Sequence, residues 1–158
     1  MTPHLTAVEE DAVILLVEDS EDDLLLFKRA LLATGLPFQV RNVETCSEAR
    51  SYLLGAGQFA DRAAFPFPQL IIADNCRGPF DTAEFLLWLR GHPECRVIPV
   101  VMLSGSRDPR LIETAYELGI HSFFEKPNNH LALRSLLKMV LDYWAASLVP
   151  DPRPCRPA

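Results

Sequence analysis

Four short apolar runs, at residues 12–17, 69–73, 97–103 and 122–124, each give way to a polar side chain. Glu18 and Asp19 follow the first, Asp74 the second, Ser104 closes the third, and Lys126 stands just past the fourth. Runs this short and apolar, alternating with helical patterns, read as strands buried on both faces of a parallel sheet. The carboxyl ends of such strands line one crevice, and that is where ligands bind. Three carboxylates, a hydroxyl and an ammonium would then share it. Crowded carboxylates repel unless a cation neutralises them, and their hard oxygens suit Mg²⁺. A phosphoryl group fits the remaining pieces.

Between the runs the chain alternates. Ser20-Glu21-Asp22-Asp23 opens a helix with a serine cap and acidic charge at the positive end of the dipole, and residues 24–34 continue it to Gly35. A second strand is predicted at 38–43, and helices at 47–54, 82–90, 109–118 and 129–148. Five strands and five helices in alternation imply right-handed crossovers and an open parallel sheet covered on both faces. The connection at 55–68 is rich in Gly, Ala and Pro, of a length usual for a functional or mobile loop, and carries no readable motif. Residues 1–11 and 149–158 read as flexible termini, the latter proline-rich.

A chain of 158 residues supports one hydrophobic core, so a single domain is expected. With 15 Lys and Arg against 21 Asp and Glu, and no basic block, the charge argues against nonspecific affinity for nucleic acid or an anionic membrane. No apolar stretch approaches the roughly 20 residues of a membrane helix. Cys46, Cys76, Cys95 and Cys155 lack C-x-x-C spacing, and the N-terminus lacks a cationic apolar leader, so four reduced thiols in a cytoplasm are expected. The four histidines show no ligand spacing that would suggest zinc.

Taken together, Val17-Glu18-Asp19-Ser20, Leu70-Ile71-Ile72-Ala73-Asp74, Val100-Val101-Met102-Leu103-Ser104 and Phe124-Glu125-Lys126-Pro127 resemble the signature blocks of bacterial response-regulator receiver domains, in order and at matching strand ends. The resemblance spans residues 12–148 and implies a receiver domain there, with a doubly wound five-stranded parallel sheet of the flavodoxin-like (CheY-like) type. It further implies that Asp74 accepts a phosphoryl group from a sensor histidine kinase, that Glu18 and Asp19 hold Mg²⁺ together with Asp74 and the backbone carbonyl of Cys76, and that Ser104 and Lys126 bind the phosphoryl group. Such a carboxylate can attack in line once the charge developing on the equatorial oxygens is neutralised. By the same resemblance Phe123 stands at the switch aromatic, and the Lys126–Pro127 bond is cis. The stretch Asn75-Cys76-Arg77-Gly78-Pro79 and Thr82 depart from the family pattern, which bears on loop geometry and phosphoryl lifetime.

On the last helix Leu133, Leu136, Leu137, Val140, Trp144 and Leu148 follow helical spacing as one core stripe, leaving Leu141 and Tyr143 outside it. That apolar surplus suggests a second buried surface anchored by aromatics. Tyr143-Trp144, the long 55–68 loop and His92-Pro93-Glu94 look like the small phytochrome-associated response regulators, single receivers without an output domain. This likeness implies homodimers through the last helix, with Tyr143 and Trp144 in the interface, and a bacteriophytochrome as the kinase. The reading is of a non-enzymatic phospho-accepting regulator that signals by protein contact. Its rivals are a degenerate receiver acting as an unphosphorylated interaction module and an aspartyl-phosphate phosphohydrolase. The hydrolase would need a general acid two residues after Asp74, where Cys76 stands.

Overall fold

The structure is a computed structural model and describes residues 5–6, 12–74, 80–147 and 149–150. In chain order these form β1 (Leu5–Thr6), β2 (Val13–Val17), α1 (Glu21–Thr34), β3 (Gln39–Val43), α2 (Cys46–Leu54), a 3₁₀ turn (Gly57–Phe59), β4 (Leu70–Ala73), α3 (Thr82–Arg90), β5 (Val100–Ser104), α4 (Pro109–Glu117), β6 (Ser122–Glu125), α5 (His130–Ala146) and β7 (Val149–Pro150). Five of the strands make one sheet in the order β3-β2-β4-β5-β6, every neighbouring pair parallel. This is the doubly wound arrangement in which strand order reverses beside the first strand. The reversal falls between β2 and β4, so Glu18 and Asp74 emerge side by side.

Side chains along β2 alternate between two cores, as a strand buried on both faces requires. Leu15 and Val17 join a cluster with Ala49, Tyr52 and Leu53 of α2, Phe85 and Leu89 of α3 and Ala115 of α4. Ile14 and Leu16 join the other, with Phe27, Ala30 and Leu31 of α1 and Leu133, Leu137, Val140 and Leu141 of α5. Helices α1 and α5 thus cover one face, and α2, α3 and α4 the other. Polar caps start the helices: Ser20 Oγ accepts from Asp23 N at 3.3 Å, Thr45 Oγ1 from Glu48 N at 3.0 Å, and Asn129 Oδ1 from Ala132 N at 2.8 Å. Among the described residues no helix is long and apolar enough to cross a membrane.

Several expectations are revised. The third apolar run becomes strand only from Val100, because residues 95–98 fold into a turn in which Ile98 N donates to Cys95 O at 3.0 Å, and Pro99 has no N–H to offer. Leu141, left off the core stripe, is fully buried, whereas Leu136 and Trp144 pack only at its margin. A 3.6-residue period carries the apolar face around a 17-residue helix, so position 141 turns inward beside 137 and 140. Leu148 lies outside the described residues. Of the terminal segments, the described residues Leu5 and Thr6 pair with Pro150 and Val149 as a short antiparallel ladder. The Lys126–Pro127 bond is trans, the lower-energy isomer for most such bonds, not the cis form of the family resemblance. Cys46 and Cys95 are both fully buried and both disulfide-bonded, against the expectation of reduced thiols. Cys46 heads α2 at the carboxyl end of the sheet, and Cys95 precedes β5 at the opposite end.

The 55–68 connection is built rather than loose. Tyr52, Phe59 and Phe65 pack in tilted and edge-to-face pairs at centroid distances of 5.2 to 6.0 Å, and Tyr52 Oη donates to Pro66 O at 2.7 Å. Arg62 reaches back to the end of α2, donating to Tyr52 O at 2.7 Å, Leu53 O at 2.8 Å and Phe65 O at 3.3 Å. Gly55 ends the helix at φ 63°, and a Cβ there would stand 3.0 Å from an Arg62 guanidinium nitrogen.

Candidate phosphoryl-transfer site

The strand ends that carry the polar residues are laced by backbone bonds continuing the ladders. Glu18 N donates to Val43 O at 2.9 Å, Asp74 N to Val17 O at 3.1 Å, and Lys126 N to Ser104 O at 2.7 Å. Asn42 adds a side-chain clamp, its Nδ2 donating to the carbonyls of Leu16, Glu18 and Val43 at 3.1 to 3.2 Å. The end of β2 is therefore held from both neighbouring strands, which fixes where Glu18 points.

Within this frame Lys126 Nζ is the centre. It donates to Glu18 Oε2 at 2.6 Å, Asp23 Oδ2 at 2.8 Å and Asp74 Oδ2 at 3.2 Å. An ammonium has three N–H donors, and these three acceptors match them in number. The lysine side chain is 17% exposed and that of Glu18 only 5%, so the pair lies largely out of bulk water. Burial by itself would lower the lysine pKa. The hydrogen bonds to Asp23 and Glu18 and the charges of Asp74 and Glu18 outweigh that, and hold the ammonium above its ordinary value.

The structure thus brings Glu18, Asp74 and Lys126 together. Ser104 is buried at the end of β5, where its Oγ accepts from Ser106 N at 3.2 Å. Asp19 is exposed, and Cys76 lies outside the described residues, as does the departing stretch 75–79. Thr82 is buried at the start of α3. Among the described residues no group of three His, Cys, Asp or Glu side chains stands ready to hold a metal ion. Yet Glu18 and Asp74 already converge on one cation, and their hard oxygens are the right chemistry for Mg²⁺. The donor set fits a divalent ion once Lys126 yields at least one of its contacts.

Phe123 on β6 is half-buried against the α2–α4 core, and its N–H donates to Tyr116 Oη at 3.1 Å. Tyr143 is 65% exposed. Trp144 packs at the edge of the α1–α5 core, edge-on to His121 at 5.5 Å and to Tyr143 at 5.1 Å. Asp23 was legible only as a first-turn acid of α1. The signal for its larger role is its place in the first turn of α1, the helix that leaves the crevice directly after Glu18.

No protein-family model matches the chain. The response regulator Rcp1 of Synechocystis sp. is 30% identical over 128 residues, covering 81% of this chain and 83% of that protein. Among solved structures, the phosphorylated cyanobacterial phytochrome response regulator RcpA superposes with a TM-score of 0.80 at 30% identity, over 89% of this chain and 99% of that one. The Mn²⁺-bound form of response regulator Rcp1 gives a TM-score of 0.76 at 26% identity over the same shares of the two chains, 89% and 99%.

Proposed function

The chain belongs to the response-regulator receiver family, with relatives among phytochrome-associated regulators, and we propose that it accepts a phosphoryl group on Asp74 from a sensor histidine kinase and signals by protein contact. The observation that carries this reading is the convergence of Glu18, Asp74 and Lys126 at the strand-order reversal, with Lys126 Nζ 3.2 Å from the Asp74 carboxylate. In the transfer an Asp74 oxygen forms a bond to phosphorus while the bond from phosphorus to the kinase imidazole nitrogen breaks, and the electron pair leaves with that nitrogen. Lys126 redirects an N–H from Asp74 to a phosphoryl oxygen, and the Ser104 hydroxyl donates to another. Glu18, Asp19, Asp74 and the Cys76 carbonyl would hold Mg²⁺, which would supply neutralising charge to the phosphoryl oxygens. Phe123 follows Ser104 inward, its side chain needing no new hydrogen-bond partner.

The kinase of this reading is a bacteriophytochrome-type sensor, the compartment the cytoplasm, and the assembly a homodimer through α5. Leu131, Met139 and Tyr143 support the dimer: they are 65%, 55% and 65% exposed and lie at multiples of four residues along the helix. Tyr143→Ala should lower the dimer fraction in sedimentation without changing the melting temperature, and an unchanged fraction would remove this surface.

A second reading draws on the same geometry. Acids already satisfied by Lys126, with no three-ligand group among the described residues, favour an unphosphorylated interaction module. Incubation with a small acyl phosphate and Mg²⁺, followed by intact mass, separates the two. An adduct of one phosphoryl group that disappears in Asp74→Asn supports the phosphoacceptor; no adduct in the wild type leaves the module; steady hydrolysis of the donor indicates a hydrolase.

A further inference from the structure

We propose that Asp23 is the positioning residue for Lys126, a tether that keeps part of the ammonium's bonding off the two acids that do the chemistry. The proposal rests on the phosphoacceptor reading of Asp74. Of the three carboxylates on Lys126 Nζ, Asp23 is the one outside the strand ends: it projects from the first turn of α1, and its side chain is 40% exposed against 5% for Glu18 and 29% for Asp74. Its contact is nonetheless the shorter of the two aspartate contacts, 2.8 Å against 3.2 Å for Asp74. The backbone of Asp23 is fixed as well, because its N–H donates to the Ser20 cap at 3.3 Å. Its carboxylate therefore approaches the lysine from a rigid helix end.

Three N–H donors meet three acceptors, so removing one acceptor redistributes the others. Without Asp23 the ammonium leans on Glu18 and Asp74, the pair that must also receive a divalent cation. Asp23 thus sets how readily Lys126 gives way to metal and how far it screens the nucleophile. The role is one of positioning, since Asp23 acts on the reaction only through Lys126.

Two measurements test this. The first needs no metal: Lys28, Lys126 and Lys138 are the only lysines in the sequence, so each can be followed by peptide mass after brief treatment with an amine-acylating reagent. In Asp23→Asn, Lys126 should label severalfold faster while Lys28 and Lys138 keep their wild-type rates, and an unchanged Lys126 rate would overturn the tether. The second is a double-mutant cycle on Mg²⁺ affinity, read by change in tryptophan fluorescence. Asp23→Asn should raise the dissociation constant severalfold in the wild-type background and change it less than twofold in the Lys126→Met background. An equal effect in both would make Asp23 a metal ligand or bulk charge and overturn the proposal. Should the wild type form no Asp74 adduct while the labelling result holds, the phosphoacceptor reading fails and the tether stands.

Discussion

Lys126 and Arg62 are both cations drawn partly out of water, and the molecule satisfies them in opposite ways. Lys126 meets three carboxylates, at the ends of β2 and β4 and on α1. Arg62 meets three neutral carbonyls, two of them at the open end of α2, where a helix leaves acceptors without partners. Burial pulls the arginine pKa down, offset in part by Tyr52, whereas the acids around Lys126 more than reverse the same pull. Carboxylates can be shared with, or surrendered to, another cation or anion, because their charge remains to be balanced whatever binds. Carbonyls at a helix end accept a donor and offer nothing to exchange. One arrangement suits a site that changes state, and the other suits a joint that does not.

Lys126→Met should give the largest change. It leaves Glu18 buried without its counter-charge, and stability measured in urea should fall by about 3 kcal/mol, the low end for breaking a buried pair because Asp23 and Asp74 are partly solvated. Millimolar Mg²⁺ should restore part of that loss. No restoration would break the idea that these acids are exchangeable.

Arg62→Ala should cost about 2 kcal/mol, typical for hydrogen bonds that involve a charged group, and Mg²⁺ should restore none of it. Adduct formation on Asp74 should be unaffected, since the loop follows the C-terminal end of α2, at the opposite end of the sheet from the acids. Gly55→Ala strains the same joint through its left-handed backbone and the approach to Arg62, and should lower stability by about 1 kcal/mol.

The smallest effect concerns His121, a base whose burial can be titrated where that of Arg62 cannot. Burial pushes the His121 imidazole below its ordinary value, and its Nδ1 accepts from Val100 N at 3.1 Å. The folded state therefore resists the proton that the unfolded chain takes up near pH 6.5. The contribution of His121 is present above that pH and is lost as pH falls through the lower folded value. Urea midpoints should decline over this window in the wild type and be flatter in His121→Gln.

Legibility followed the range of the interactions. The strand ends at Glu18, Asp74, Ser104 and Lys126 could be read because a buried parallel strand is a local apolar run, and what interrupts it marks the crevice. Ser20 and Gly35 were readable for a similar reason, since capping involves neighbours three or four residues away. Helix α3 begins and ends where predicted, at Thr82 and Arg90. Arg62 was not readable, because its three carbonyls carry no side-chain signature. Asn42 was invisible on the same grounds. Leu141 escapes a single-face reading of α5 because the buried surface of that helix is broad, taking in Leu133, Leu137, Val140 and Leu141. The disulfide state of Cys46 and Cys95 has no mark in spacing at all.

By itself the sequence determined the five parallel strands, their helices and the four polar endings, since hydrophobic period and capping chemistry act over a few residues. Only the tertiary structure decided which charges meet: that Lys126 takes Asp23 as well as Glu18 and Asp74, across sequence separations of 103, 108 and 52 residues, and that Arg62 closes α2. The reason is physical. Burial and hydrogen-bond geometry are set by how elements pack, and a long polar side chain finds its partners only after the backbone around it is in place.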